Sequence, residues 1–226
     1  ESVDIGAAAP AFLHDMAAGL AGSGSSLRMI PTYLSAEGRL PLDVPAAVID
    51  AGGTNFRTAL VTFTESGVET DRFTQSPMPG SNGPVSWDEF ISFTTSRIFP
   101  LLGSAEAVGF CFSYPTEETP ERDGRLLRLT KQVNIRGFGG RLICADLNAR
   151  LLELGAGERS ITLLNDTPAV LLSGASLLRG GGYDGFIGLI CGTGTNTCCD
   201  LPVSAIPKLG GKEGRMLVNL ESGAFS

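Results

Sequence analysis

A strand, a glycine turn and a second strand occur twice in this chain, as "VIDAGGTNFRTALVTF" from Val48 to Phe63 and as "FIGLICGTGTNTCCD" from Phe186 to Asp200. Two such hairpins in one chain suggest two lobes facing each other over a phosphate. In the first, Ala46 to Ile49 and Phe56 to Phe63 are apolar and β-branched, and so favour strands, while Gly52 and Gly53 permit backbone angles a side chain would forbid. A bare turn flanked by Thr54, Asn55 and Arg57 can aim N–H groups, a hydroxyl and a cation at a phosphate. Asp50 would repel that phosphate unless a cation intervened, which points to Mg²⁺, a hard ion that takes oxygen ligands and keeps water. Taken alone, the stretch is equally an ordinary Gly-Gly hairpin.

The remaining pattern is mixed α and β. Residues 7–22 read as a helix, and "GSGSS" with "PTYLSAEGRLPLDVP" as the loop leading to the first hairpin. "SWDEF" carries a Ser-x-x-Glu capping box ahead of a helix to about Leu102. A strand is expected near 106–113. "GRLICADLNARLLELG" predicts an amphipathic helix ending at Gly155, and "SITLLND" a strand that delivers a carboxylate to the start of a helix over 167–178. "GGGYDG" fits G-x-G-x-x-G but precedes a strand instead of following one, so it reads as a turn.

Charge and cysteine content narrow the setting. A formal net charge of −7 without a Lys/Arg-rich run argues against nucleic acid as a partner, and no apolar run is long enough to predict a membrane span. No signal-peptide pattern is present, so a cytoplasmic protein is expected. The five cysteines, Cys111, Cys144, Cys191, Cys198 and Cys199, form no paired C-x-x-C pattern, which favours buried reduced thiols over a disulfide scaffold or a zinc site. The single histidine, His14, falls in the first helix and reads as a surface residue, leaving no base for a Ser-His or Cys-His mechanism.

The ordered set "DAGGTNFR", "GFCFSYP", "LTK", "LLNDT", "CGTGTN" and "LVNLESGAF" resembles the hexokinase family of sugar kinases, within the actin-like ATPase superfamily. The resemblance covers nearly the whole chain from about residue 46. It implies an α/β, ribonuclease H-like two-lobe fold with a sugar and ATP cleft between the lobes. Residues 46–165 would form the small lobe, 1–45 an N-terminal helical segment of the large lobe, and 166–226 the first part of that lobe. The large lobe would be incomplete in this chain, because the family's further sugar-contacting Glu, second phosphate loop and adenosine pocket have no counterpart before Ser226.

The resemblance also implies roles. Asp166 of "NDT" would accept the proton of the attacking sugar hydroxyl, taking it late, when phosphoryl transfer has made that proton acidic. An N-cap Asp is the structural alternative and is compatible with that role. Ser113, Thr130, Lys131, Asn165, Asn196 and Glu221 would bind the sugar, whose hydroxyls each donate and accept. Lys131 would in addition neutralise charge near the reacting oxygen. Asp50 would approach Mg²⁺ through water, Gly52, Gly53, Thr54, Asn55 and Arg57 would border the ATP phosphates, and Thr193 would meet them from the other lobe. The partners implied are a glucose-like hexose, phosphorylated on its primary hydroxyl, and ATP.

Two departures lie beside these positions: Pro168 and Val170 stand where the family often carries a small Gly-Thr pair, and Ser222 where a Trp is common. They bear on which sugar fits. A catalytically incompetent sugar-binding or regulatory relative is the alternative function, but it would have no need of Asp166 and the phosphate glycines. Another actin-like ATPase would have no reason to carry "LTK" with "NDT". A glycosidase using Asp166 and Glu221 would leave the phosphate loops unexplained.

Overall fold

The structure, a computed structural model, describes residues 4–38, 40–129, 133–178, 182–192, 194–211 and 213–225. They form, in order, helix α1 (Ile5–Ala21), strands β1 (Ile30–Pro31), β2 (Ala46–Ala51), β3 (Asn55–Thr64), β4 (Gly67–Pro77) and β5 (Val85–Ser86), helix α2 (Trp87–Ile98), strands β6 (Ala107–Phe112), β7 (Thr116–Glu118), β8 (Gly124–Leu126) and β9 (Ile135–Arg136), helix α3 (Ile143–Glu153), strand β10 (Ser160–Leu164), helix α4 (Asp166–Leu178), and strands β11 (Ile187–Cys191), β12 (Thr195–Pro202) and β13 (Arg215–Asn219). The chain divides into two compact units, Arg39–Asp166 and a second made of Glu1–Gly38 with Thr167–Ser226.

In the unit of residues 39–166 the glycine hairpin is the centre of a five-stranded sheet, ordered β10-β6-β2-β3-β4. β2 pairs antiparallel with β3 through the turn and parallel with β6, which in turn pairs parallel with β10. Period-two alternation assigns the faces. Ala47, Ile49 and Ala51 of β2, Val108, Phe110 and Phe112 of β6, and Ile161 and Leu163 of β10 are buried with Phe90, Ile98, Leu147 and Leu151 of α2 and α3 in one core. The intervening residues, Asp50 and Cys111 among them, fall on the other face.

The two helices over that core start in different ways. α2 has the capping box that "SWDEF" predicts: Ser86 Oγ accepts from the Glu89 N–H at 3.2 Å, and the Ser86 N–H donates to Glu89 Oε2 at 2.6 Å. These bonds to the charged form hold the Glu89 carboxyl below its ordinary value. α3 follows Leu142, which has no capping side chain. Its orphan donors are met from a distant loop, where the buried carboxylate of Asp123 accepts from Cys144 N and Gly124 N through Oδ1, both at 2.7 Å, and from Ala145 N through Oδ2 at 2.9 Å.

In the other unit the second hairpin belongs to an antiparallel sheet ordered β1-β13-β12-β11. Adjacent residues of β13 serve opposite sides. Val218 packs with Leu27, Met29 and Ile206 against Phe12, Met16 and Leu20 of α1, whereas Leu217 packs with Cys198 against Leu171 and Ala175 of α4. Both helices approach closely at a glycine. A Cβ on Gly19 would fall 2.1 Å from the Leu27 carbonyl, and one on Gly188 within 2.9 Å of Leu171 and of the Thr167 carbonyl. Lys208 ties the chain beside α1, its Nζ donating to the carbonyls of Gly19, Arg28 and Met29 at 2.9, 3.0 and 2.5 Å. On β11, Ile187 and Leu189 are 73% and 60% exposed.

The cysteine expectation needs correction. Cys144 and Cys198 are buried, and burial pushes both thiols well above the ordinary range. Cys111 and Cys199 are half-buried, with the Cys199 thiol pushed up to about 11 by burial, but Cys191 is exposed because it shares the uncovered face of β11 with Ile187 and Leu189. No bond joins any two of the five. His14 is exposed, as expected. Asp166 is the first residue of α4 and not the capping residue ahead of it. Among the described residues no helix is long and apolar enough to cross a membrane.

Candidate active site

In the unit of residues 39–166 the parallel strands β2, β6 and β10 end side by side. The residues just beyond their carboxyl ends are Gly52, Ser113 and Asn165, with Asp166 next. Such edges are where open α/β sheets place their ligands. Hydrogen bonds join them laterally: the Ser113 N–H donates to the Ala51 carbonyl at 3.1 Å, and the buried Asn165 amide to the Phe112 carbonyl at 3.4 Å. Ser113 and Asp166 are half-buried.

The glycine turn is closed by its own backbone, Gly52 N donating to Asn55 O at 3.0 Å, and Met78 N donates to Thr54 O at 2.9 Å. A Cβ on Gly52 would lie 3.3 Å from the Asn55 carbonyl, so the turn has little room there for a side chain. Tyr114, which the sequence reading passes over, braces the turn from below. Its buried phenol donates to the Gly52 carbonyl at 3.1 Å, and burial pushes the phenol up to about 12. The hydroxyl therefore keeps its proton throughout the physiological range.

Asp50 and Arg57, predicted to serve Mg²⁺ and phosphate, are paired with each other. They stand directly opposite across the hairpin, with Arg57 Nη1 2.7 Å from Asp50 Oδ2. The cation that the Asp50 charge calls for is, in this state, Arg57. Among the described residues no three His, Cys, Asp or Glu side chains gather into a metal-binding group.

A second polar set lies in the other unit. Asn196, at the start of β12, donates through Nδ2 to Asn219 Oδ1 at 2.8 Å and to Glu221 Oε1 at 3.4 Å, and Asn219 Nδ2 donates to the same Oε1 at 2.9 Å. The Asn196 carbonyl oxygen accepts from the N–H groups of Thr197 and Ser222. Glu221 holds a left-handed backbone conformation (φ 58°), which turns it out of β13. Asn219 is fully buried and is the member the sequence reading left without a role, although "LVNLESGAF" contains it. At the departures from the family pattern, Ser222 shares a hydroxyl contact with Thr197 at 2.9 Å and Pro168 is buried in α4. Thr130, Lys131 and Thr193 lie outside the described residues.

Comparison with known proteins is decisive about kinship. Sequence models described as hexokinase match residues 3–176 and 186–226. The chain belongs to the hexokinase family. It is 34% identical to the chloroplastic hexokinase-2 of Nicotiana tabacum, with 96% of the chain and 46% of that protein covered, and 33% identical to hexokinase-3 of Rattus norvegicus, with 93% and 23% covered. It thus spans less than half the length of these curated hexokinases. Among solved structures, the hexokinase from Schistosoma mansoni complexed with glucose is 25% identical with a TM-score of 0.75, covering 92% of this chain and 48% of that one. A second hexokinase crystal structure, 22% identical with a TM-score of 0.73, shares the fold. The mixed α/β architecture is therefore the actin-like, two-lobe sugar-kinase fold, and the chain matches about half of it.

Proposed function

We propose that this hexokinase-family chain serves the ATP-dependent phosphorylation of a glucose-like hexose on its primary hydroxyl. The observation that carries the reading is the meeting of the closed glycine turn, Ser113, Asn165 and Asp166 at the carboxyl ends of three parallel strands. The glucose bound to the Schistosoma mansoni hexokinase supports the choice of sugar.

In this reading Asp166 orients the sugar hydroxyl and takes its proton as the oxygen attacks phosphorus, with Lys131 offsetting charge near that oxygen. Asn165, Ser113 and Thr130 hold neighbouring hydroxyls. Asn196, Asn219 and Glu221 form a further recognition set. Both amides point at Oε1 of Glu221, which fixes the carboxylate and leaves Oε2 for a hydroxyl. Gly52, Gly53, Thr54, Asn55 and Thr193 border the ATP phosphates.

Mg²⁺ would be held by water and phosphate oxygens with Asp50 as the protein's carboxylate, and a single carboxylate fits an ion that retains most of its water. When bound it would neutralise phosphate charge. Arg57, paired with Asp50 through Nη1, would reach a phosphate oxygen through its other amino group.

The test pairs calorimetry with a coupled assay of ADP release. Asp166→Asn keeps shape and removes basicity, so turnover should fall roughly a hundredfold or more while glucose affinity changes little. Near-normal turnover in this variant would remove Asp166 from the role of base. Both measurements belong on the complete protein, where glucose binding with no phosphoryl transfer would favour a sugar-binding relative.

A further inference from the structure

Strand β4 is an edge strand with ten of its eleven residues exposed, the setting in which a glutamine is ordinarily just solvated. Gln75 has two contacts there that bear on the glycine turn. Its Oε1 accepts from Arg57 Nε at 3.0 Å, and its Nε2 donates to Asn55 Oδ1 at 3.4 Å. Asp50, Arg57 and Gln75 stand in one row, directly opposite one another on β2, β3 and β4.

A defect in the ladder creates that row. From Thr64 opposite Gly67 the pairing runs regularly to Leu60 opposite Asp71, then shifts, so that Thr58 faces Thr74 and Arg57 faces Gln75. Without the extra residue Thr58 would face Phe73 and Arg57 would face Thr74. The bulge is built at Arg72, whose φ of 50° is left-handed and whose N–H is held by Asp71 Oδ1 at 2.7 Å. A one-residue shift exchanges the two faces of a strand, so this bulge is what aligns an amide with the guanidinium.

We infer that Gln75 is a positioning residue for the phosphate turn: with Asp50 it clamps Arg57 at two points and fixes the plane of the guanidinium. This rests on the reading of residues 50–57 as a phosphate loop. A single contact between Nη1 and Asp50, with both side chains about 40% exposed, would leave the guanidinium free to pivot. The second contact at Nε removes that freedom, because the guanidinium is a rigid planar fork. The Nη2 edge remains free of both partners and is the edge presented to an incoming phosphate oxygen. The contact to Asn55 carries the same constraint into the turn.

The experiment uses the chain with Gln75→Leu, which removes both contacts, and Gln75→Glu, which keeps the acceptor for Arg57. Proton exchange at Arg57 Nε–H, followed by NMR without nucleotide, should be slow in the unmodified chain, about tenfold faster in Gln75→Leu and restored in Gln75→Glu. MgATP affinity, by calorimetry, should fall about tenfold in Gln75→Leu and recover in Gln75→Glu, with glucose affinity unchanged. Equal exchange rates in the unmodified chain and Gln75→Leu overturn the clamp, as does unchanged MgATP affinity despite faster exchange. The exchange rates are read without nucleotide and so decide whether Gln75 positions Arg57 even if the unmodified chain takes up no MgATP.

Discussion

The phenol of Tyr114 donates a hydrogen bond to the carbonyl of Gly52 at 3.1 Å, joining the core beneath the sheet to the backbone of the glycine turn. Tyr114 is held above its ordinary pKa, so its contribution to stability is complete below about pH 10 and is lost as the pH rises toward about 12. The unfolded chain ionises first and draws the equilibrium with it. Tyr114→Phe should therefore flatten the stability profile between those limits, as measured by urea unfolding at a series of alkaline pH values. An identical alkaline profile in both proteins would mean that the phenol is not coupled to folding.

The glycine turn itself can be tested at Gly52. Valine there would set a branched side chain against the Asn55 carbonyl, which already lies 3.3 Å from the position of a Cβ. Gly52→Val should cost nucleotide affinity more than sugar affinity. Calorimetry with MgATP and with glucose separates the two, and equal losses would point to general unfolding.

Asn219 offers a test of the second polar set. Asn219→Ala removes the donor to Glu221 and the acceptor for Asn196, both buried or half-buried. Glucose affinity should weaken roughly tenfold or more, since a hydrogen bond to a charged group contributes about 1.5–3 kcal/mol. Unchanged glucose affinity would show that this set does not order the sugar site.

Asp123 is a prediction about stability alone. Replacing it with Ala strips three backbone N–H groups of their acceptor, those of Cys144 and Ala145 at the start of α3 and that of Gly124, and should lower the unfolding free energy by about 2 kcal/mol. Asn at this position sets an N–H₂ against at least one of those donors, so Asp123→Asn should recover only part of the loss. Denaturant titration of the two variants reads both effects.

What was legible in the chain was local. The hairpin turns, the capping box at Ser86 and the strand ahead of Asp166 depend on neighbours a few residues apart, and each stands where the pattern put it. What was hidden depends on register and on long separations. The acceptor for the α3 terminus comes from 21 residues upstream, and nothing near Leu142 announces it. Asp50 and Arg57 each looked suited to a ligand, and only cross-strand register shows that they pair. The shift that brings Gln75 to Arg57 arises from the left-handed backbone of an arginine, which composition does not mark. Cys191 was expected inside because cysteines usually are, but it shares a strand face that no helix covers.

The division of the chain also fixes an order of events during folding. All the partners of the β10-β6-β2-β3-β4 sheet lie within residues 39–166, so that unit closes through its own contiguous chain. The other unit joins ends far apart. The Thr32 hydroxyl reaches the Leu217 carbonyl 185 residues away, and Phe12 of α1 packs edge-on against Phe225. Because α1 precedes β13 in the chain, its apolar residues Phe12, Met16 and Leu20 can meet Val218 only after β13 has been synthesised. The contiguous unit, folding in the interval, replaces a long floppy loop with a compact insert and so lowers the entropy lost when the two ends meet.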